Sequence, residues 1–185
     1  MSIHSDSDNR QTATPTGERV GKILISACLL GENVRYDGGN SQINSNILNQ
    51  WQQEGRLIST CPEMAGGLPV PRVAAEIEGG NADTILQGKS GIWRKDGVDV
   101  TDAYLNGAEI TLALCMKHNI RIAILKEGSP SCGVACVNDG SFSSRKVDGQ
   151  GVTARLLTRH GISVFSERQL SDAAARLTEL EYSYS

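Results

Sequence analysis

The sequence has few of the features that nucleic-acid-binding and membrane proteins need. Aromatic residues make up only 4% of the 185 residues, the formal net charge is -3, and lysine and arginine form no cluster. Base-stacking surfaces and phosphate-binding patches depend on such residues, so we expect no nucleic-acid partner. No apolar run approaches the roughly 18 residues of a membrane-spanning helix, so we expect no membrane partner either.

The amino-terminal segment lacks the apolar stretch of a signal peptide. Residues 1–18 are rich in Ser, Asp, Asn and Thr, a composition typical of disordered segments. We therefore predict a disordered leader over residues 1–20 and a single domain over residues 21–185, which is long enough to bury one core. We expect a cytoplasmic protein, with the oligomeric state open between monomer and homodimer.

The five cysteines include no CxxC pair. Because structural disulfides are rare in a reducing cytoplasm, such cysteines serve metal binding, catalysis or core packing. Cys115 lies in an apolar, helical segment and fits core packing. Cys28 and Cys132 are followed closely by glycine and Cys61 by proline, so these three lie in loops, where packing explains little. Spacing alone leaves a metal or cluster site open for them.

Short apolar runs alternate along the chain with segments of helical spacing. The runs predict strands over residues 22–26, 56–59, 120–125 and 162–165. The helical spacing predicts helices over residues 46–54, 101–118, 152–159 and 169–180. We expect Thr101 or Asp102 to cap the second of these helices. Residues 64–97 are rich in glycine and proline, and only a small hairpin or cover flap is expected there, from residues 83–86 and 91–94.

This alternation predicts an α/β fold of the Rossmann-like kind: a single domain with a mostly parallel sheet and helices on both faces. Ligands of such sheets bind in the crevice beyond the carboxyl ends of the strands. Cys28 follows the first predicted strand, Cys61 the second and Cys132 the third. Three cysteines that are far apart in sequence are therefore expected to meet at the carboxyl edge of the sheet.

Seven motifs in order resemble those of a bacterial family long catalogued only as a domain of unknown function. They are SACLLG (26–31), VRYDG (34–38), CPE (61–63), GGLP (66–69), SPSCG (129–133), DGSF (139–142) and GQGVTA (149–154). Characterised members of that family are thiouracil desulfidases. The resemblance covers about residues 23–167, which is nearly the whole predicted domain.

The resemblance implies an enzyme that converts 2-thiouracil to uracil and hydrogen sulfide without net electron transfer. It also implies a 4Fe-4S cluster held by three cysteines, which match Cys28, Cys61 and Cys132 here. With three protein ligands for four irons, one iron stays open to the sulfur of a small thiolated base. An open position of this kind distinguishes a catalytic metal site from a structural one.

The resemblance also implies two catalytic residues, Glu63 and Ser131, which flank the second and third cysteine ligands. Glu63 is expected to take the proton of the attacking water, and Ser131 to hold the ring or relay a proton. Ser129 is a candidate substrate-binding residue. The alternatives are a loop-closing salt bridge from Glu63 to Arg72 and simple turn chemistry for both serines.

Cys136 departs from the family pattern, because it adds a thiol four residues beyond Cys132. As a fourth ligand it would close the open iron position and abolish the chemistry; we expect it not to be a ligand. The alternative function is a non-enzymatic zinc or iron–sulfur protein with four cysteine ligands, acting as a sensor or sulfur carrier.

Overall fold

Strands and helices alternate along the chain in the computed structural model, which describes residues 21–183. The strands are β1 (Ile23–Ser26), β2 (Leu57–Thr60), β3 (Ala75–Ile77), β4 (Ile92–Arg94), β5 (Ile122–Leu125), β6 (Cys136–Asn138), β7 (Lys146–Asp148) and β8 (Ser163–Ser166). The helices are α1 (Asn46–Gln53), α2 (Pro62–Ala65), α3 (Ala82–Leu86), α4 (Thr101–Lys117), α5 (Val152–Arg159) and α6 (Leu170–Tyr182). The predicted leader over residues 1–20 lies outside the described residues.

The central sheet has four parallel strands in the order β2-β1-β5-β8. Both inner strands, β1 and β5, are buried along their whole length. Strands of a parallel sheet that is covered on both faces are apolar throughout, which explains the continuous apolar runs in the sequence. The predicted α/β fold with a parallel sheet is confirmed.

Two core clusters lie on opposite faces of this sheet. On one face, Ile23, Ile25, Ile122 and Ile124 pack with Leu48 and Trp51 of α1 and with Ala173 and Leu177 of α6. On the other face, Leu24, Ala123 and Leu125 pack with Cys115 of α4 and with Ala154 and Leu157 of α5. Cys115 is fully buried in this second cluster, as expected for a core residue.

The segment between β2 and α4 differs from the prediction. Residues 83–86, expected in a hairpin, belong to helix α3, which begins where the Asn81 side chain accepts the Asp83 backbone N–H at 2.9 Å. The strand β4 does form a hairpin, but with β3. The antiparallel pair β6–β7 was not predicted. A third apolar cluster, which includes Ile77, Ile92 and Val137, packs beneath both hairpins.

Helix α4 also begins differently from the prediction, because neither Thr101 nor Asp102 is its cap. The cap residue is Val100, whose side chain makes no capping bond, and the Asp99 carboxylate before it accepts the Thr101 backbone N–H at 2.9 Å. Within residues 21–183, no helix is both long and apolar enough to cross a membrane.

Candidate active site

Three cysteines meet at the carboxyl edge of the sheet, as predicted. Cys28 lies in a 3-10 turn (Ala27–Leu30) directly after β1, Cys61 lies between β2 and α2, and Cys132 lies in the loop after β5. Because β2, β1 and β5 are neighbours in the sheet, these three segments end side by side. All three cysteines line one cavity of about 310 Å³.

Burial in the cavity favours the protonated form of these three thiols when no metal or cluster is bound. Burial, followed by the neighbouring Cys61, raises the pKa of Cys28 to about 11. Burial also raises the pKa of Cys61 and, more strongly, that of Cys132. The nearby Lys126 and Arg35 act in the opposite direction on the pKa of Cys28. Three thiolates can therefore occupy this cavity together only when a positively charged group compensates them.

Two glycines hold α2, and with it the segment from Cys61 to Glu63, against α4. A Cβ atom on Gly107 would lie 2.0 Å from the carbonyl oxygen of Pro62. A Cβ atom on Gly66 would approach the backbone of α4 to 1.9 Å. Only glycine permits such close contact between backbones, so these two positions fix how deeply α2 enters the site.

Glu63 is buried in the cavity wall and has partners on both carboxylate oxygens. Arg72 forms an ion pair with Glu63 and donates its Nε–H to Oε2 at 2.7 Å. The Ser129 hydroxyl donates to Oε1 at 3.2 Å. Burial, followed by the charge of Glu63, raises the pKa of Tyr104 well above its ordinary value. The salt bridge considered as an alternative role for Glu63 is thus present, inside the cavity and not apart from it.

The two serines of the predicted site occupy different environments. Ser129 lines the cavity, and its Oγ accepts the backbone N–H groups of Ser131 at 3.0 Å and Cys132 at 3.1 Å. Ser131 is buried but does not line the cavity, and its hydroxyl shares a hydrogen bond of 2.7 Å with Thr153. Ser129 therefore combines the expected turn chemistry with contact to Glu63, whereas Ser131 faces α5.

Cys136 lies in β6, half-buried, and does not line the cavity. Glu127 holds the chain between the two cysteines: its carboxylate accepts the backbone N–H groups of Val134 at 2.9 Å, Ala135 at 3.0 Å and Cys136 at 3.1 Å. These bonds lower the pKa of Glu127 despite its partial burial. The backbone after Cys132 is thereby held in a fixed course that leads into β6.

Comparisons with known proteins identify the family of this chain. Over residues 23–169 the chain matches the model of a family described as 2-thiouracil desulfurase. The chain belongs to this family. A solved structure named as the 4Fe-4S-dependent thiouracil desulfidase TudS is 47% identical, with a TM-score of 0.79, over 85% of this chain and 98% of that one. The Bacillus subtilis (strain 168) protein named as uncharacterized protein YbbK is 42% identical over 150 residues, 81% of this chain and 98% of that protein.

The cysteines of this 2-thiouracil desulfurase family member fit a cluster better than a single ion. Four thiolates around one tetrahedral zinc lie about 3.8 Å from one another, given Zn–S bonds of about 2.3 Å. Among residues 21–183, no group of three or more His, Cys, Asp or Glu side chains is arranged to hold a single metal ion. A four-iron cluster is larger than a single ion and takes soft thiolate ligands, and Cys28, Cys61 and Cys132 line one cavity from three separate segments of the chain.

Several residues of this site were not predicted from the sequence. Tyr104, Lys126 and Asn138 all line the cavity. Lys126 follows directly after β5, and its Nζ is held by Glu167 at 2.7 Å. A cation at the carboxyl end of a central strand is a signal that sequence reasoning could have used. Tyr104 offered no such signal, because an aromatic residue in a helix is usually a core residue.

Proposed function

We propose that this protein is a cytoplasmic 4Fe-4S-dependent desulfidase that converts 2-thiouracil and water to uracil and hydrogen sulfide. The observation that carries the proposal is the meeting of Cys28, Cys61 and Cys132 in one cavity beside the buried Glu63, in a chain of this family. The reaction exchanges a C=S bond for a C=O bond and leaves every oxidation state unchanged. It therefore requires water and no electron donor.

Cys28, Cys61 and Cys132 would hold the cluster through their thiolates. When bound, the cluster supplies an open iron position, a Lewis acid that polarises a soft thiocarbonyl sulfur. Lys126 and Arg35 stabilise the negative charge that the thiolates bring into the cavity, since both lower the pKa of Cys28. All five cysteines of the chain are free thiols, which agrees with a reducing compartment.

Glu63 acts on the water that attacks the ring carbon. Its Oε2 pairs with Arg72, Oε1 accepts the longer bond from Ser129 at 3.2 Å, and the Tyr104 hydroxyl also hydrogen-bonds to the carboxylate. Oε1 is therefore the atom that takes the proton, while Ser129 and Arg72 keep the carboxylate turned to the cavity. Ser131 does not line the cavity in this structure, so its predicted role as a proton relay requires its hydroxyl to turn from Thr153 towards the cavity.

Anaerobic reconstitution with iron and sulfide, followed by assay of 2-thiouracil, tests the proposal. We expect a brown protein with a broad absorption band at about 400 nm, which arises from charge transfer from thiolate to iron. Uracil and sulfide should form in equal amounts, and added reductant should not change the rate. Colourless protein that binds zinc would support the closed four-cysteine alternative. A brown protein that releases no sulfide from thiouracil would support a sensor or sulfur carrier.

A further inference from the structure

One buried polar atom in the wall of the cavity has no partner. The side-chain Oδ1 of Asn138 is inaccessible to solvent and accepts no hydrogen bond from any residue between 21 and 183. Buried side-chain oxygens almost always find a partner in a folded protein. Asn138 lines the same cavity as the three cysteines, so a turn of its side-chain amide would bring Oδ1 to a partner that enters through that cavity.

The β6–β7 hairpin presents two different faces. Val137 and Val147 are directly opposite each other and pack into the third apolar cluster. Asn138 and Lys146 are the next opposed pair, and both line the cavity. Successive side chains of a strand point to opposite faces, so the valines anchor the hairpin while the polar pair is held towards the cavity.

We propose that Asn138 is a specificity-determining residue that binds the imide edge of the substrate ring, an inference that rests on the proposed desulfidase function. A side-chain amide places an acceptor and a donor side by side. The edge of a thiouracil ring opposite C6 offers the complement, an N3–H donor beside a C4=O acceptor. Paired in this way, the amide satisfies its buried oxygen and leaves the thiocarbonyl at C2 free to face the cysteines.

If Asn138 had a structural role, its side-chain oxygen would accept hydrogen bonds from other residues of the protein. The cross-strand neighbour, Lys146, directs its Nζ to the carbonyl oxygen of Gly128 at 3.5 Å and not to Asn138. Truncation of Asn138 therefore removes no hydrogen bond that its Oδ1 makes within the described part of the chain. The fold is expected to tolerate the loss, and the effect should fall on ligand recognition.

The test compares Asn138→Ala with the wild type on two substrates, 2-thiouracil and its 3-methyl derivative, which has no N3–H. The matched control is Asn106→Ala, an exposed asparagine in α4. In the reconstituted wild-type enzyme, kcat/KM should be lower for the 3-methyl compound. Asn138→Ala should reduce kcat/KM for 2-thiouracil by about 10- to 100-fold, the usual effect of losing a paired amide contact, mainly through KM. It should reduce kcat/KM for the 3-methyl compound little, so that the preference disappears.

A second readout measures binding without turnover. Binding of uracil and 3-methyluracil to the reconstituted protein, measured by calorimetry, should show the same preference in the wild type and its loss in Asn138→Ala. Iron content and Tm should match those of the wild type and of Asn106→Ala. An unchanged preference, or an equal loss on both compounds, would overturn the role of Asn138. A wild-type protein that releases no sulfide from 2-thiouracil would contradict the proposed function instead, and the binding arm would still decide on Asn138.

Discussion

A carboxylate paired with an arginine is usually a structural group, and Glu63 has such a partner in Arg72. Two further features separate Glu63 from an ordinary salt bridge. It is buried in the wall of the cavity that the three cysteines line, and besides Arg72 its partners are the hydroxyl groups of Ser129 and Tyr104. The ion pair orients the carboxylate towards the cavity, where a substrate water can come within hydrogen-bond reach of it.

Glu63→Gln should keep the cluster and lose the activity. Glutamine preserves the size of the side chain and can still accept from Ser129, but it cannot take up a proton. Sulfide release should fall by about 10²–10⁴-fold, the usual contribution of a positioned acid–base group. The charge-transfer absorbance at about 400 nm and the iron content should both stay at the wild-type level in the same sample. Near wild-type turnover would remove Glu63 from the chemistry.

Single replacement of Cys28, Cys61 or Cys132 by Ala should abolish cluster retention, because we propose that each supplies one thiolate ligand and all three line the cavity. Cys115→Ala is the matched control, since Cys115 is also buried but lies in the core beneath α4. Iron and acid-labile sulfide should be measured on each purified variant. Full iron content in any of the first three variants would contradict the ligand assignment.

Cys136→Ser should retain both the cluster and sulfide release. The side chain lies in β6 and does not line the cavity, so its loss leaves the site unaltered. Iron content and turnover with 2-thiouracil measure the outcome. Loss of the cluster from this variant would identify Cys136 as a fourth ligand and favour a closed, non-catalytic site.

At the scale of the elements, the contact between α2 and α4 controls the position of Cys61. Gly107→Ala gains about 1 kcal/mol in helix propensity, so any net loss of stability reports on the contact itself. A Cβ atom 2.0 Å from the Pro62 carbonyl oxygen forces α2 away from α4. We expect a net loss of about 1–3 kcal/mol and a Tm lower by about 2–10 °C.

The displacement of α2 in Gly107→Ala should also weaken cluster retention, because α2 begins directly after Cys61. Asn106→Ala changes the neighbouring, exposed position in the same helix and should lower neither Tm nor iron content. Thermal unfolding followed by circular dichroism and iron analysis of both variants measure these effects. A stable Gly107→Ala variant with full iron content would show that α2 tolerates a different position.

The central sheet and the long helices were predictable because each has a run of apolar residues or a helical period long enough to be recognised. The β6–β7 hairpin was missed because its strands have three residues each, too few for a period to show. Helix α3 was predicted wrongly because its five residues contain little helical spacing, and its start depends on the Asn81 cap. Short elements owe their form to tertiary contacts, which local pattern does not encode.

The cysteines of the candidate site were predictable because each follows a strand in a parallel sheet, where the carboxyl ends meet. Tyr104 and Asn138 were not, since their place in the cavity depends on how α4 and the missed hairpin pack against the sheet. The partner of Glu63 was foreseen as an alternative role. The structure shows this salt bridge in the wall of the cavity, and the catalytic role of Glu63 stays a prediction.

At the scale of the whole molecule, the ionisation of Cys115 makes the free energy of unfolding depend on pH in the alkaline range. Burial raises the pKa of Cys115 from 9.0 to about 12 in the folded state. Between these values the folded state keeps a proton that the unfolded state has lost. Because the folded state then binds more protons, the free energy of unfolding falls as pH rises from about 9 towards 12. Below about pH 9 this contribution is fully present.

Cys115→Ala should therefore flatten the alkaline part of the stability profile. At pH 7 the variant should be less stable by about 1 kcal/mol, since a small core side chain has been truncated. The difference from the wild type should shrink as pH rises above about 9, the usual range in which free thiols ionise. Urea unfolding under reducing conditions measures both, with Asn106→Ala as the variant that should follow the wild-type curve. A constant difference across this pH range would contradict the assignment.

The order of strands determines when the cysteines can meet during synthesis of the chain. In the folded sheet, Ile23 of β1 lies opposite Leu57 of β2 on one side and opposite Ile122 of β5 on the other. The strand β2 is near β1 in the sequence, whereas β5 is far from it. Contacts between such distant segments close slowly, because the intervening loop must first lose its freedom. Cys28 and Cys61 therefore leave the ribosome before Cys132 has been made. Cofactor insertion must wait until most of the chain has been made. The yield of cluster-loaded protein will therefore depend on whether cellular reductants keep Cys28 and Cys61 as free thiols until then.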